Sequence, residues 1–304
     1  MKRETKGIIL ALLAAVASGI AIPANKLFIV NLQPDVFTAV RAVVIGMVFF
    51  AIASLDARKR HAPFKKVSWK YLLAIAVIGG SVAFLLYFTG LKLTTAGRGA
   101  FLYHSVLTIG TVMLAAAFLN EKLGKKIGIA LAIMVVGTVV LYVSQIPPSQ
   151  LWANPNLGDL LVIAASLMWA VEYIISKKAI NMGETNFVVS FARMFIGGII
   201  LVGVVIILGN ISSLSGLSAQ QWINIGISTV LLFADVLFMY WSMKYINISK
   251  SATLLLIAPV VSLICGSLVL GEPAPPMQIA GSAIILVGSY FVISERNGNR
   301  NKKA

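Results

Sequence analysis

Long, uninterrupted apolar segments constrain the fold of this chain more than any other feature of its sequence. Ten runs of about 20 residues are each long enough to cross roughly 30 Å of hydrocarbon as a helix. Only 12% of the residues are charged, whereas a soluble chain carries about a quarter. The sequence therefore predicts an all-α integral membrane protein with ten transmembrane helices and excludes an ordinary soluble enzyme. The runs cover residues 7–28, 36–55, 69–91, 98–119, 124–143, 158–180, 187–208, 221–243, 250–270 and 275–293.

The basic residues predict how these helices are oriented in the bilayer. Twenty of the 25 Lys and Arg residues fall in the termini and in alternate connections, whereas the opposite connections contain only Lys92 and Arg98. Cytoplasmic connections of membrane proteins carry such an excess. We expect a multi-pass protein of the cytoplasmic membrane with both termini in the cytoplasm. The net charge of +15 follows from this topology and does not indicate a nucleic-acid partner.

Few side chains of this sequence suit metal or nucleophilic chemistry. The chain has one cysteine, Cys265, and two separated histidines, His61 and His104, without the spacing of a zinc or haem site. It contains no glycine-rich nucleotide-binding loop. We therefore predict no enzyme activity, no metal, no cofactor and no ATP-driven pump within this chain.

The second half of the sequence repeats the first at an offset of about 151 residues. With small gaps, the aligned pairs are Gly7 and Gly158, Lys26 and Lys177, Arg41 and Arg193, Tyr87 and Tyr240, Glu121 and Glu272, and Gly137 and Gly288. Each copy has five spans, and because five is an odd number the second copy is inverted in the membrane. The predicted units are residues 7–143 and 158–293, joined by an extracytoplasmic linker at 144–157.

Short motifs recur at corresponding places in the two copies. The segment Tyr87–Thr94 is echoed at 240–244, and Asn120–Leu123 is echoed at 271–273. These motifs resemble the EamA family of the drug/metabolite transporter superfamily, over residues 8–142 and 158–292. The resemblance implies a ten-span carrier or exporter of amino acids and other small metabolites, with a cavity between the halves lined by spans one to four and six to nine. One departure is visible, since the proline of the family's fourth span is present as Pro259 in the second copy but is replaced by Thr108 in the first.

Ionisable side chains within the spans are candidates for function, because inserting each one costs about 2.5 to 3.5 kcal/mol. Their depth follows from the helical rise of about 1.5 Å per residue. An outer, basic layer contains Lys26, Arg41 and His104. An inner layer contains Glu172, Asp235 and Arg193. The two layers are predicted to lie about 12 Å apart.

The two inner acids have small or apolar counterparts in the first copy, where Ala21 aligns with Glu172 and Val82 or Ala83 with Asp235. We expect one acid to neutralise Arg193 and the other to bind a substrate cation or to carry a proton. The alternative is a buried ion-pair network that fixes helix packing, and a structural role is equally open for the two arginines. The sequence does not decide which acid pairs with Arg193.

Aromatic side chains accompany the acids at helical spacing. They form the groups Trp169, Glu172 and Tyr173 on the sixth span and Asp235, Phe238 and Met239 on the eighth. An acid among aromatic rings suits an organic cation or the ammonium of an amino acid. Tyr103 and Trp241, near span ends, fit an interfacial belt instead. The predicted substrate-binding residues are Asn25, Lys26, Arg41, Phe84, Tyr87, His104, Trp169, Glu172, Tyr173, Asp235, Phe238, Met239 and Tyr240.

Three further features concern helix packing. Pro23 and Pro259 are hinge candidates because proline kinks a helix. Glu121 and Glu272 are expected to accept from the free amides that open the fifth and tenth helices, respectively. Stripes of small residues predict close helix contacts on the first span at Ala11, Ala15 and Gly19, and on the fifth at Gly124, Gly128 and Ala132.

These observations predict a secondary transporter that works by alternating access on small metabolites, namely amino acids or related amines. An uncoupled facilitator or channel for small polar solutes is the alternative. A membrane-embedded enzyme is a remote one. The expected partners are a small-molecule substrate, the lipid bilayer and, as a candidate coupling ion, the proton. The chain is expected to be a monomer or a homodimer.

Overall fold

Ten helices that are long and apolar enough to cross a membrane make up the structure, a computed structural model that describes residues 3–29, 32–59, 68–94, 96–121, 124–143, 156–269 and 274–295. The predicted all-α fold with ten spans is confirmed. Most of the predicted linker (144–155) and Glu272 lie outside the described residues. The helices are α1 (Arg3–Phe28), α2 (Pro34–Arg58), α3 (Trp69–Leu93), α4 (Arg98–Phe118), α5 (Lys125–Val143), α6 (Leu157–Asn181), α7 (Asn186–Ile207), α8 (Ala219–Met243), α9 (Ile248–Leu268) and α10 (Pro276–Ser294).

Several helices begin at polar caps that lie just outside the apolar runs. The side chain of Asn156 accepts from the Asp159 amide and starts α6, and Thr185 caps α7 in the same way. Ser218 and Gln221 form a reciprocal capping box at the start of α8. Because these side chains satisfy amides that have no partner within the helix, they place the helix starts more sharply than hydropathy does.

The two five-helix repeats interlock. Helix α1 packs along α8, and its counterpart α6 packs along α3. Helix α1 also contacts α9, as α6 contacts α4. Helices α2 and α7 pack together, and so do α5 and α10, so that each of these helices meets its own repeat counterpart. A pseudo-two-fold relation between the repeats accounts for this pattern, and it places the interior of the bundle between the halves.

Close approach of α5 and α10 depends on glycines that face each other. A Cβ atom on Gly137 would lie 2.9 Å from the Gly281 carbonyl oxygen, and one on Gly281 would lie 2.6 Å from the Leu141 nitrogen. The small-residue stripe predicted on the fifth span is wrong at two of its three positions: a Cβ on Gly128 would meet no atom within 4 Å and Ala132 is exposed, whereas Gly124 lies against the Glu295 side chain. The packing face of α5 is therefore the one that carries Gly137.

The stripe predicted on the first span is confirmed as a packing surface. Ala11 and Ala15 are fully buried. A Cβ on Gly19 would lie 2.6 Å from the Ala258 carbonyl oxygen of α9, and the Ser262 hydroxyl donates to the Gly19 carbonyl at 2.5 Å. Helices α1 and α9 are thus held backbone to backbone.

Three helices depart from regular α geometry near the centre of the bundle. Helix α3 has a π-helical turn at Ile78–Val82, and α7 has one at Ala192–Ile196. The two turns touch, because a Cβ on Gly80 would overlap the Arg193 carbonyl oxygen. Helix α9 is interrupted at 256–257, directly before Pro259, whereas α1 continues as a helix through Pro23. A proline ring displaces the preceding carbonyls, which accounts for the interruption in α9.

Glu121 caps a helix, but not the expected one. Its carboxylate accepts from the amides of Ile248 at 3.0 Å and Ser249 at 3.1 Å, and from the Ser249 hydroxyl at 2.7 Å. These groups open α9 and not α5, so the predicted partner was wrong. Adjacency along the chain suggested the fifth helix, whereas the packing of α4 on α9 brings a different helix start within reach.

Candidate functional site

A cavity between the two halves collects side chains from seven helices. It has about 470 Å³ of empty space, counting the part open to solvent. Among the predicted site residues, those that line it are Asn25, Arg41, Phe84, Tyr87, Trp169 and Asp235. Those that do not are Lys26, His104, Glu172, Tyr173, Phe238, Met239 and Tyr240. The cavity also brings together Arg41 and Asp235, which the depth arithmetic had assigned to separate layers.

Arg41 projects from α2 and is only 1% exposed. Its guanidinium carbon lies 4.0 Å from the Phe37 ring centroid and 4.7 Å from that of Phe88. Its Nη1 donates to the Ser228 hydroxyl at 2.6 Å, and Ser228 in turn donates to the Asn25 side-chain oxygen. Within the part of the chain that the structure describes, its Nη2 has no hydrogen-bond partner. Arg41, which lines the cavity, therefore has an unused donor and no acidic partner among the described residues.

Arg193, the counterpart of Arg41, lies in a network that includes an acid. Its Nη1 donates to the Tyr240 hydroxyl at 2.9 Å, and that hydroxyl donates to Glu172 at 2.6 Å. The Glu172 carboxylate also lies 3.8 Å from Nη1 and accepts from Ser176. Glu172 is thus the acid that pairs with Arg193, which the sequence left undecided.

Asp235 is the remaining acid of the interior. It lines the cavity from α8 and is half-buried. Among the described residues it has no hydrogen bond or ion pair, and its electrostatic neighbours are Arg193, Tyr103 and Tyr173. Its carboxylate is therefore available to a group that enters the cavity.

Aromatic rings in tilted and edge-to-face contact form one wall of the cavity. The ring centroids of Tyr87, Tyr103 and Trp169 lie 5.2 to 5.4 Å from one another, and Phe84 lies 5.2 Å from Trp169. The Trp169 indole donates to the Gly79 carbonyl oxygen at 3.0 Å, which fixes the ring against the π turn of α3. The interfacial role expected for Tyr103 is wrong, because α4 turns this ring toward α6.

Lys26 has an anchoring role that its repeat counterpart shares. Its ammonium donates to the carbonyl oxygens of Leu91 at 2.6 Å and Thr94 at 2.7 Å, at the C-terminal end of α3. Lys177 donates in the same way to the carbonyls of Met243 and Ile246 at the end of α8. Each lysine satisfies carbonyls that have no partner within the helix. This use of both ammonium groups explains why two lysines at span ends align in the repeat.

The other predicted residues lie behind the lining. His104 is 1% exposed and packs against Tyr103, with no hydrogen-bond partner for either ring nitrogen among the described residues. Tyr173 packs edge-on against Tyr240, and Met239 is fully buried. These side chains support the residues that face the cavity.

Sequence reasoning missed Leu232, which lines the cavity, and Ser228, which bridges Arg41 and Asn25, although helical spacing contained the signal. Ser228, Leu232 and Asp235 lie at positions i, i+4 and i+7 of α8 and therefore share one face. Ser18 and Asn25 are related in the same way on α1. Extending the face from the acid to its helical neighbours would have identified Ser228 and Leu232. The described residues contain no group of three or more His, Cys, Asp or Glu side chains suited to a metal ion.

Comparison with known proteins gives a consistent result. The sequence profile of the EamA-like transporter family matches residues 5–143 and 156–294. A protein named "uncharacterized transporter" from Methanothermobacter thermautotrophicus is 23% identical and covers 95% of this chain and 87% of its own length. A protein named "probable amino-acid metabolite efflux pump" from Salmonella typhimurium is 25% identical over 93% of both chains. A solved crystal structure superposes with a TM-score of 0.71 at 18% identity, covering 94% of this chain and 96% of the other, and shows the same fold.

Proposed function

Because the chain belongs to the EamA-like transporter family, we propose that this membrane transporter carries a small zwitterionic metabolite by alternating access. The substrate class is amino acids or related amines. The proposed membrane is the cytoplasmic one, with both termini in the cytoplasm and the linker at 144–157 outside. Residues 7–143 and 158–293 are the proposed repeat units, in a chain that works as a monomer or homodimer.

The cavity lining supports this substrate class by its charges. Glu172 and Arg193 neutralise each other, whereas Arg41 and Asp235 have no ion-pair partner among the described residues. Arginine donors suit a carboxylate, and an acid beside aromatic rings suits an ammonium group. A zwitterion would bring both groups into one cavity. The relative from Salmonella typhimurium is named as a probable amino-acid metabolite efflux pump, which agrees with a zwitterionic substrate.

Alternating access is supported by similar contacts at the two ends of the bundle. At one end, Lys26 ties the end of α3 to α1, and Asp159 of α6 pairs with Arg98 and accepts from Thr94 at 2.5 Å. These contacts surround the connection between α3 and α4 on the proposed outer side.

The opposite end repeats the arrangement around the connection between α8 and α9. Lys177 ties the end of α8 to α6, and Lys250 pairs with Glu4 of α1 at 2.9 Å. We propose that these two sets of contacts open in alternation. Pro259, beside the interruption in α9, is the proposed hinge on this side, and Pro23 is the hinge candidate in α1.

Counterflow in proteoliposomes tests the proposal. Liposomes loaded with unlabelled amino acids should accumulate labelled amino acid transiently and saturably, because a carrier exchanges substrate across a closed intermediate. Arg41→Ala and Asp235→Asn should reduce counterflow, whereas Glu184→Gln, outside the cavity, should leave it unchanged. Linear, non-saturable uptake without counterflow would favour a facilitator or channel and would refute the carrier.

The same assay separates two roles of Asp235. If Asp235 carries a coupling proton, Asp235→Asn abolishes the pH dependence of uptake against a gradient and leaves exchange largely intact. If Asp235 binds the substrate ammonium, exchange is lost as well. Wild-type behaviour of the variant in both measurements would remove Asp235 from the site.

A further inference from the structure

The internal repeat lets one half of the protein be compared with the other at the same position. Arg41 of α2 and Arg193 of α7 are counterparts, and both line the cavity. Each guanidinium donates through Nη1 to a hydroxyl of α8, Ser228 for Arg41 and Tyr240 for Arg193. The two arginines thus share a hydroxyl partner on α8, which belongs to the same repeat as Arg193 and to the opposite repeat from Arg41.

The halves differ in what lies beyond the hydroxyl. The Tyr240 hydroxyl donates a hydrogen bond to the carboxylate of Glu172, which also lies 3.8 Å from Arg193. The Ser228 hydroxyl donates a hydrogen bond to the side-chain oxygen of Asn25, which is a neutral amide. The counterpart of Glu172 on α1 is Ala21, four residues before Asn25.

Ala21 lines the cavity, so the position equivalent to the Glu172 carboxylate in the first half opens onto empty space. The Nη2 of Arg41 has no partner within the described residues, and the side chain is 1% exposed. A buried cation without a counter-ion is costly, and a carboxylate beside it would remove much of that cost.

We propose that Arg41 and Asn25, bridged by the Ser228 hydroxyl, form a carboxylate subsite beside Ala21, in which the substrate's anionic group takes the place that Glu172 takes in the second half. This proposal rests on the proposed transport function, because the occupant is the transported molecule. The second half offers the comparison, since the Glu172 carboxylate lies 3.8 Å from Arg193 and the Tyr240 hydroxyl bridges the two side chains.

The arrangement also orients the substrate. With the carboxylate near Arg41, an ammonium group in the same molecule faces the remaining unpaired acid, Asp235 on α8. The aromatic wall of Tyr87, Tyr103 and Trp169 then borders the part of the molecule between and beside its charged groups. Arg193 is already neutralised by Glu172, so we assign it a structural role in the cavity lining.

Supplying the missing carboxylate from the protein tests the subsite without any ligand. Ala21→Glu places an acid at the position equivalent to Glu172, and Ala21→Gln places a neutral side chain of nearly the same size there. The purified Glu variant should unfold several degrees above the Gln variant, because only the Glu carboxylate pairs with Arg41. Equal midpoints, or a lower midpoint for the Glu variant, would overturn the proposal.

Two probes with the same aromatic body test the subsite from the ligand side. The unfolding midpoint of the wild type should rise with the concentration of 3-phenylpropionate, since a ligand that binds only the folded state stabilises it. Ala21→Glu should lose at least three-quarters of this shift, because its own carboxylate occupies the subsite. Phenethylamine, which has no carboxylate, should keep its effect in Ala21→Glu and lose it in Asp235→Asn.

The outcomes separate the subsite from the transport function. No shift of the wild type with 3-phenylpropionate, or the same shift in wild type and Ala21→Glu, would overturn the subsite even if counterflow is observed. A midpoint difference between the two Ala21 variants together with the lost 3-phenylpropionate shift would support the subsite even if counterflow fails for every amino acid. In that case it is the proposed transport function that would fall.

Discussion

Replacing Tyr240 by Phe tests the network around Arg193, because the change removes one hydroxyl and little volume. That hydroxyl accepts from Arg193 at 2.9 Å and donates to Glu172 at 2.6 Å, so two interhelical hydrogen bonds are lost. Such bonds inside membrane proteins are worth about 0.6 kcal/mol on average and about 1.7 kcal/mol at most. Both partners of Tyr240 are charged and buried, so we expect a loss of about 1 to 3 kcal/mol.

The repeat supplies a matched control for this measurement. Tyr87, the counterpart of Tyr240, has no hydrogen-bond partner for its hydroxyl among the described residues, and its ring stays in the aromatic wall after Tyr87→Phe. Thermal unfolding in detergent should show a fall of about 2 to 6 °C for Tyr240→Phe, at about 2 °C per kcal/mol for a chain of this size. Tyr87→Phe should shift the midpoint by less than about 1 °C. Equal shifts for the two variants would refute the assigned network.

Three further predictions concern topology and packing. In a variant that lacks the native cysteine, a single cysteine placed at Ser149 should react with a membrane-impermeant reagent from outside. A single cysteine placed at Lys302 should react only after permeabilisation. External labelling at both positions would refute an even number of spans. Gly137→Leu should destabilise the protein by about 1 to 3 kcal/mol, because α10 lies against this glycine. Gly128→Leu should leave the thermal unfolding midpoint unchanged. Equal losses in the two variants would contradict the assigned packing face of α5. Glu121→Ala should cost about 0.5 to 2 kcal/mol by removing the cap of α9, and an unchanged midpoint would contradict that contact.

Much of the candidate site was accessible from the sequence because ionisable residues inside apolar runs are conspicuous. Arg41 and Asp235 were identified in this way, and both line the cavity. Ser228 was missed because a serine within a span is not conspicuous by itself and is recognised only from its helical spacing to Asp235. Lys26 was identified by the same rule, yet its ammonium binds helix-end carbonyls, which a depth estimate along one helix does not reveal.

The sequence by itself determined the ten spans, the two-fold repeat and the predicted orientation. These properties depend on the transfer of each segment into hydrocarbon and on charges in the adjacent connections, and both act on local stretches of chain. Only the tertiary structure decided that Glu172 pairs with Arg193, that Glu121 caps α9, and that Arg41 and Asp235 face one cavity. Those contacts join residues of different helices. They depend on how far each helix is rotated about its axis and shifted against its neighbours, and side-chain packing across the whole bundle fixes both quantities.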